Sequence, residues 1–136
     1  MTLATDPATN ATPTTSVWIG RILTGLICLL FAFSAVGKVM SGPEQAAEMA
    51  SHLGLNAGLM STLAVIEIVC VIAYAVPRTT FLGAILLTGY MGGAIFAHLR
   101  VGDPPIIQAV LPVLVWLGVF LRDRRLRALI PLRSKL

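Results

Sequence analysis

Four apolar stretches, residues 17–38, 58–76, 81–97 and 106–121, follow one another with charges, Pro or Gly at their borders. A membrane-crossing helix needs about 20 mostly apolar residues, roughly 17 to 25. No soluble fold tolerates four such runs in 136 residues, with 57% of side chains hydrophobic and 12% charged. The chain is therefore expected to be an all-α integral membrane protein. Three of the stretches are short, so Trp18, His98 and the flanking arginines are expected to complete the crossings in the interfacial layers.

The connections set the topology. "PRTT" (77–80) is too short for anything but an antiparallel turn, and "HLRVGDPP" (98–105) is only slightly longer. An up-down-up-down four-helix transmembrane bundle follows, over residues 17–121. Between the first two spans, "SGPEQAAEMASHLGLN" (41–56) offers a Ser41 or Gly42 cap, Pro43 at the first helical position and Gly54 as a stop, which predicts a short extra helix. Its Glu44, Glu48 and His52 share one face, better read as a solvated polar face than as metal ligands; Ala47, Met49 and Leu53 form a weakly apolar one. No metal site is expected. Gly89, Gly93 and Ala97 repeat every fourth residue along span three and predict close approach of another helix. Pro112 should free a backbone carbonyl near residue 108 in span four. Residues 1–16, rich in Thr, Ala and Pro without a basic residue, read as a disordered tail, and residues 122–136 as a basic amphipathic one.

Charge sets the orientation. Arg21, Arg78, Arg122, Arg124, Arg125, Arg127, Arg133 and Lys135 fall on one side of the bundle, against Lys38 and Arg100 on the other. Basic segments stay cytoplasmic, so both termini are expected inside the cell. The positive net charge then reports topology and attraction to the lipid bilayer, and no nucleic acid partner is expected. Cys28 and Cys70 lie within spans with no C-x-x-C, which excludes a dithiol redox motif.

One residue breaks the apolar logic. Glu67 is the only charged side chain between residues 57 and 77, and a charge at mid-span costs about 2.5–3.5 kcal/mol on insertion scales. Its helical stripe includes Met60, Ala64, Cys70 and Tyr74, so that face is the interior one. Lys38, His98, Arg100 and Asp103 fall at the same end of their spans, with Tyr90 two turns deeper than His98. These residues are expected to line one cavity in the outer half of the bundle. Glu67 and His98 are the candidates for proton transfer, and Lys38, Tyr74, Tyr90, Arg100 and Asp103 for ligand binding. A register-fixing ion pair at Glu67 is the competing explanation.

The blocks "SAVGKVM" ending on Lys38, "VIEIVCVIAYAVPRT" around Glu67, "GAILLTGYMGGAIFAHLRVGDP" and the closing "LRDRRLRALIP" resemble the DoxX-like family of small four-span bacterial membrane proteins, over about residues 21–131. The third block is the most specific. The resemblance implies residence in the bacterial plasma membrane and a role as accessory subunit beside a membrane oxidoreductase, with a quinone as the cofactor to expect and a partner subunit or a second copy as protein partners. It supplies no catalytic residues. Read from the residues alone, a stand-alone enzyme acting by acid/base chemistry on a lipophilic substrate (an isomerase or cyclase) and a small proton-coupled transporter stay open beside it.

Overall fold

The computed structural model describes residues 14–129. Of the tails expected at 1–16 and 122–136, residues 1–13 and 130–136 lie outside the described residues. Six helices follow in order: α1 (Thr15–Met40), α2 (Pro43–His52), α3 (Ala57–Ala75), α4 (Thr80–Arg100), α5 (Ile106–Arg122) and α6 (Arg124–Leu129). The four long ones are the four expected spans. Helices α1, α3 and α4 are each long and apolar enough to cross a membrane, and α5, apolar over 17 residues, is at the short limit. At 1.5 Å per residue α5 is about 25 Å long, just short of the hydrocarbon thickness of about 30 Å.

Packing runs α1 on α3, α3 on α4, α4 on α5 and α5 back on α1, a closed ring with α2 seated on α3 and α6 on α5. Outward faces carry large apolar side chains such as Leu29, Phe33, Ile85 and Ile107, which only lipid can cover at this density. The interior holds Phe31, Tyr74, Leu87 and Val115, all fully buried, and Cys70 beside them; Cys28 is half-buried, and both thiols are free.

Lipid removes the hydrophobic drive between helices, so polar contacts and close backbone approach must hold them together. At the end near the chain termini they do. Tyr74 Oη donates to the Val115 carbonyl at 2.9 Å, tying α3 to α5, and Thr24 of α1 lies 3.5 Å from the same hydroxyl. The short α3–α4 turn satisfies the exposed end of α3 with hydroxyls: Thr79 donates to Ala73 O at 2.8 Å, and Thr80 donates to Val76 O at 2.9 Å and Tyr74 O at 3.1 Å.

The close approaches are made by other glycines than the expected stripe. A Cβ on Gly83 would fall 2.2 Å from Tyr74 N, and one on Gly20 would fall 2.7 Å from the Arg122 side chain. Gly89 and Gly93 instead face outward, with nothing within 4 Å of a Cβ added to either. Helix α2 also differs in its seat. Ala50, with Ala46 and Leu53, turns inward, while Ala47 and Met49 are exposed. The three are spaced i, i+4, i+7, one helical face, whereas 47, 49 and 53 straddle it.

Substitution of the two kinds of glycine separates them. Gly83→Ala drives a methyl into α3 backbone and is expected to lower stability by about 3 kcal/mol or more, the upper part of the overpacking range. Gly89→Ala should leave it unchanged or slightly raised. Thermal unfolding of both variants in one detergent measures the difference.

Candidate functional site

Glu67 is 1% exposed and among the largest side chains buried in the bundle. It lies nine residues into the span from Gly58, about 13 Å along α3. Lys38, in the last turn of α1, reaches back to it: Nζ lies 2.8 Å from Glu67 Oε2 and 2.7 Å from Ser34 Oγ, one turn earlier on its own helix. Tyr90 of α4 donates its hydroxyl to the same Oε2 at 3.2 Å. One carboxylate oxygen thus joins α1, α3 and α4.

Both contacts go to Oε2. Among the described residues Oε1 accepts no hydrogen bond, while every side-chain nitrogen or oxygen sealed from solvent has a partner. Oε1 is therefore open to the space beside it. That space is a cavity of about 440 Å³ between α1, α3, α4 and α5. Its walls are mostly apolar, with Phe31, Met91 and Leu111 prominent, and Leu30, Phe33 and Ile107 line it while also lying on the exposed surface. The cavity accordingly opens sideways between α1 and α5, toward lipid.

His98, near the end of α4, lines the same cavity. Its Nδ1 is 2.8 Å from the Ala94 carbonyl, which can only accept, so Nδ1 carries a proton. In the neutral ring Nε2 is then an acceptor, and Gln108 Nε2 of α5 meets it at 3.1 Å. Turning the Gln108 amide over would present its oxygen to a protonated Nε2, so the pair accommodates either state of the ring. The cavity thereby holds a carboxylate, an ammonium, a phenol and an imidazole, with spare hydrogen-bonding capacity at Glu67 Oε1 and on the Gln108 amide.

Four of the residues singled out from sequence, Glu67, Lys38, Tyr90 and His98, converge here. Three do not. Tyr74 shares the Glu67 face of α3 but lies two turns deeper, where its hydroxyl is bound to Val115 O. Arg100 donates to the carbonyls of Leu53 and Gly54 at 2.6 and 2.9 Å, and Asp103 pairs with His52 at 2.7 Å. Those two fasten the end of α2 to the α4–α5 connection over the end of the bundle. His52 is thus paired with Asp103, and no metal-ligand cluster occurs among the described residues. Ser34 and Gln108 were not anticipated. Gln108 carried a signal, as the only amide in an apolar span, and the ring-locked nitrogen of Pro112 leaves its backbone carbonyl without the usual helical donor.

Breaking a buried ion pair from one side leaves an uncompensated charge, typically at a cost of about 3–5 kcal/mol. Lys38→Met strands the fully buried carboxylate and is expected to lose stability in that range. Glu67→Gln should lose less, because Lys38 is 16% exposed and can extend toward the headgroups. Lys38→Met combined with Glu67→Gln should recover part of the single-lysine loss. Unfolding of the three variants in matched detergent checks the order.

No curated protein and no solved structure matches the chain, but the family model described as DoxX-like family matches residues 22–121, most of its length and all four spans in large part. The chain belongs to the DoxX-like family.

Proposed function

We propose that this chain is a membrane subunit that binds a lipophilic, quinone-type molecule in the bundle cavity, beside a partner oxidoreductase that supplies or takes the electrons. The observation carrying this reading is the cavity itself. It pairs apolar walls open to lipid with a free carboxylate oxygen and an imidazole–amide pair inside. A lipid-soluble ring with oxygen at its edge needs an entrance from the bilayer, apolar contact for the ring and hydrogen-bond partners for the oxygens. Glu67 Oε1 can accept from a hydroxyl, and the Gln108 amide can donate to a carbonyl. Glu67 and His98 can each hold a proton within the cavity, and Lys38 with Tyr90 fixes the carboxylate in place. The partner would dock on either face of a bacterial plasma membrane in which both termini are cytoplasmic, the side of eight of the ten Lys and Arg residues.

A second reading has its own support. The His98 ring, whose Nε2 accepts from Gln108, and the carboxylate of Glu67 line one mostly apolar cavity, and proton abstraction and return on a lipophilic substrate would use them once Gln108 turns away. In that case the chain is a stand-alone enzyme of isomerase or cyclase type. A through-membrane pathway has less in its favour, because fully buried Tyr74, Leu87 and Val115 fill the bundle between Glu67 and the far end.

Purification in mild detergent, with native mass spectrometry and an absorbance spectrum, tests the proposal. Wild type should retain a lipophilic molecule with a quinone spectrum, and Glu67→Gln and Gln108→Leu should each lose most of it while remaining folded. A cavity that takes up no added quinone in wild type would overturn the reading. Conversion of a non-redox lipophilic substrate that depends on His98 would replace it with the second.

A further inference from the structure

The opposite end of the bundle carries a second cavity, of about 460 Å³, with a different character. Four arginines from four separate segments line it: Arg21 of α1, Arg78 of the α3–α4 turn, Arg122 of α5 and Arg124 of α6. Among the described residues none of the four guanidinium groups donates a hydrogen bond or forms an ion pair with a protein acceptor. The one acid in the wall, Asp123, is already engaged, its Oδ1 accepting from the backbone N–H groups of Arg125 at 2.8 Å and Leu126 at 3.4 Å. Two of the arginines are instead placed against aromatic rings, Arg21 over Trp18 at 5.4 Å and Arg122 over Tyr74 at 5.8 Å. Such stacking orients the planar group and leaves its N–H edge available.

A basic end is ordinary for a membrane bundle, since topology alone places Lys and Arg there. The arrangement is less ordinary. Topology needs only that the charges sit on one side, and Arg125 and Arg127 meet that need without lining this cavity. The other four converge, although mutual repulsion opposes gathering them. Arg21 sits six residues inside α1, about 9 Å along the helix from its start, and its exposed side chain lines the cavity from that position. Besides Asp123 and Thr80 the remaining wall is apolar, with Phe81 exposed and Val119 buried.

We propose that this cavity seats the phosphodiester headgroup of an anionic phospholipid, such as a phosphatidylglycerol or cardiolipin of the leaflet on the side of the chain ends. Guanidinium forks match phosphate oxygens two at a time, and the phosphate sits where the headgroup layer meets the bundle. Phe81 gives the acyl chains an apolar path outward. The bound lipid would bridge α1, the α3–α4 turn, α5 and α6, the elements that bring the four arginines. It would act as a removable tie at the end opposite the quinone-type cavity, and the proposal stands independently of what that cavity binds.

The test uses the full chain, delipidated in a zwitterionic detergent and titrated with phosphatidylglycerol, cardiolipin or phosphatidylcholine while bound lipid is counted by native mass spectrometry. Wild type should bind one anionic lipid in preference to phosphatidylcholine. Removing any one surface charge weakens general attraction by about fivefold, so specificity is read against a matched control. Arg21→Gln with Arg78→Gln should lose at least about tenfold more affinity than Arg125→Gln with Arg127→Gln. The melting temperatures of both double variants without lipid show that they are folded, and Arg122→Lys supplies a variant that keeps charge and loses the fork. Equal losses in the two double variants would overturn the site. Displacement of the lipid by inorganic phosphate at equal concentration would assign the cavity to a free anion and overturn the lipid as its ligand.

Discussion

A carboxylate inside a lipid-embedded bundle is tolerable only if other groups replace the water it has given up, and the way Glu67 is satisfied organises the half of this molecule that carries α2. Lys38 neutralises it and Tyr90 adds a charge-assisted hydrogen bond, both on the same oxygen. Because the three groups come from α1, α3 and α4, satisfying one charge fixes the relative rotation of three helices. Any rotation of α3 that freed the carboxylate would leave it in hydrocarbon. The pair thus acts as a register device as well as a chemical group. At the opposite end the same task is done without charge, by Tyr74 on the Val115 carbonyl and by the contact of Gly83 with α3 backbone. Two locks of different chemistry hold the two ends, and each leaves a cavity of similar size, about 440 Å³ beside Glu67 and about 460 Å³ at the other end.

Much of this was legible in the sequence for a simple reason: lipid penalises exceptions. Apolar runs long enough to cross gave the four spans, and Pro43 and Gly54 gave the bounds of α2 to within two residues. Glu67 and Lys38 stood out because each is costly where it sits, and Tyr90 and His98 fell on the correct end. Helical periodicity says which residues share a face, and it does not say at what depth a partner waits. Tyr74 was grouped with Glu67 on that ground, yet the two are separated by two turns and serve different seams. Arg100 and Asp103 were assigned to the cavity by proximity to the span end. Their partners are the Leu53 and Gly54 carbonyls and the His52 ring, contacts no sequence pattern encodes. Gly89 and Gly93 show the same limit: spacing marks a surface that permits close approach, and the structure puts the actual approach at Gly83.

The ends of the bundle therefore divide along chemical lines. At the end carrying α2, opposite charges are paired inside an apolar cavity and α2 is tied down over the helix ends by Arg100 and Asp103. At the end carrying Thr15 and Arg122, like charges gather around a cavity whose single acid, Asp123, accepts from the backbone at Oδ1. The first suits a neutral or weakly polar lipophilic molecule and the second an anion. An anionic ligand would meet Glu67 Oε1 unfavourably in the first cavity, and a purely apolar one would find no use for four guanidinium groups in the second.

The proposed role of Glu67 beyond holding helices together draws its support from the second oxygen. A carboxylate kept solely for structure is best satisfied at both oxygens, since each unsatisfied lone pair in a low-dielectric interior costs free energy. Here Lys38 and Tyr90 crowd onto Oε2, although an ammonium and a phenol on separate oxygens would share the charge more evenly. The crowding leaves Oε1 without a hydrogen bond among the described residues, and Glu67 lines the cavity that the His98–Gln108 pair also lines. Pro112 adds to the same bias, withholding a donor from the Gln108 carbonyl one helical turn away. On the proposed reading, these vacancies are what would receive a hydroxyl or a carbonyl from the bilayer.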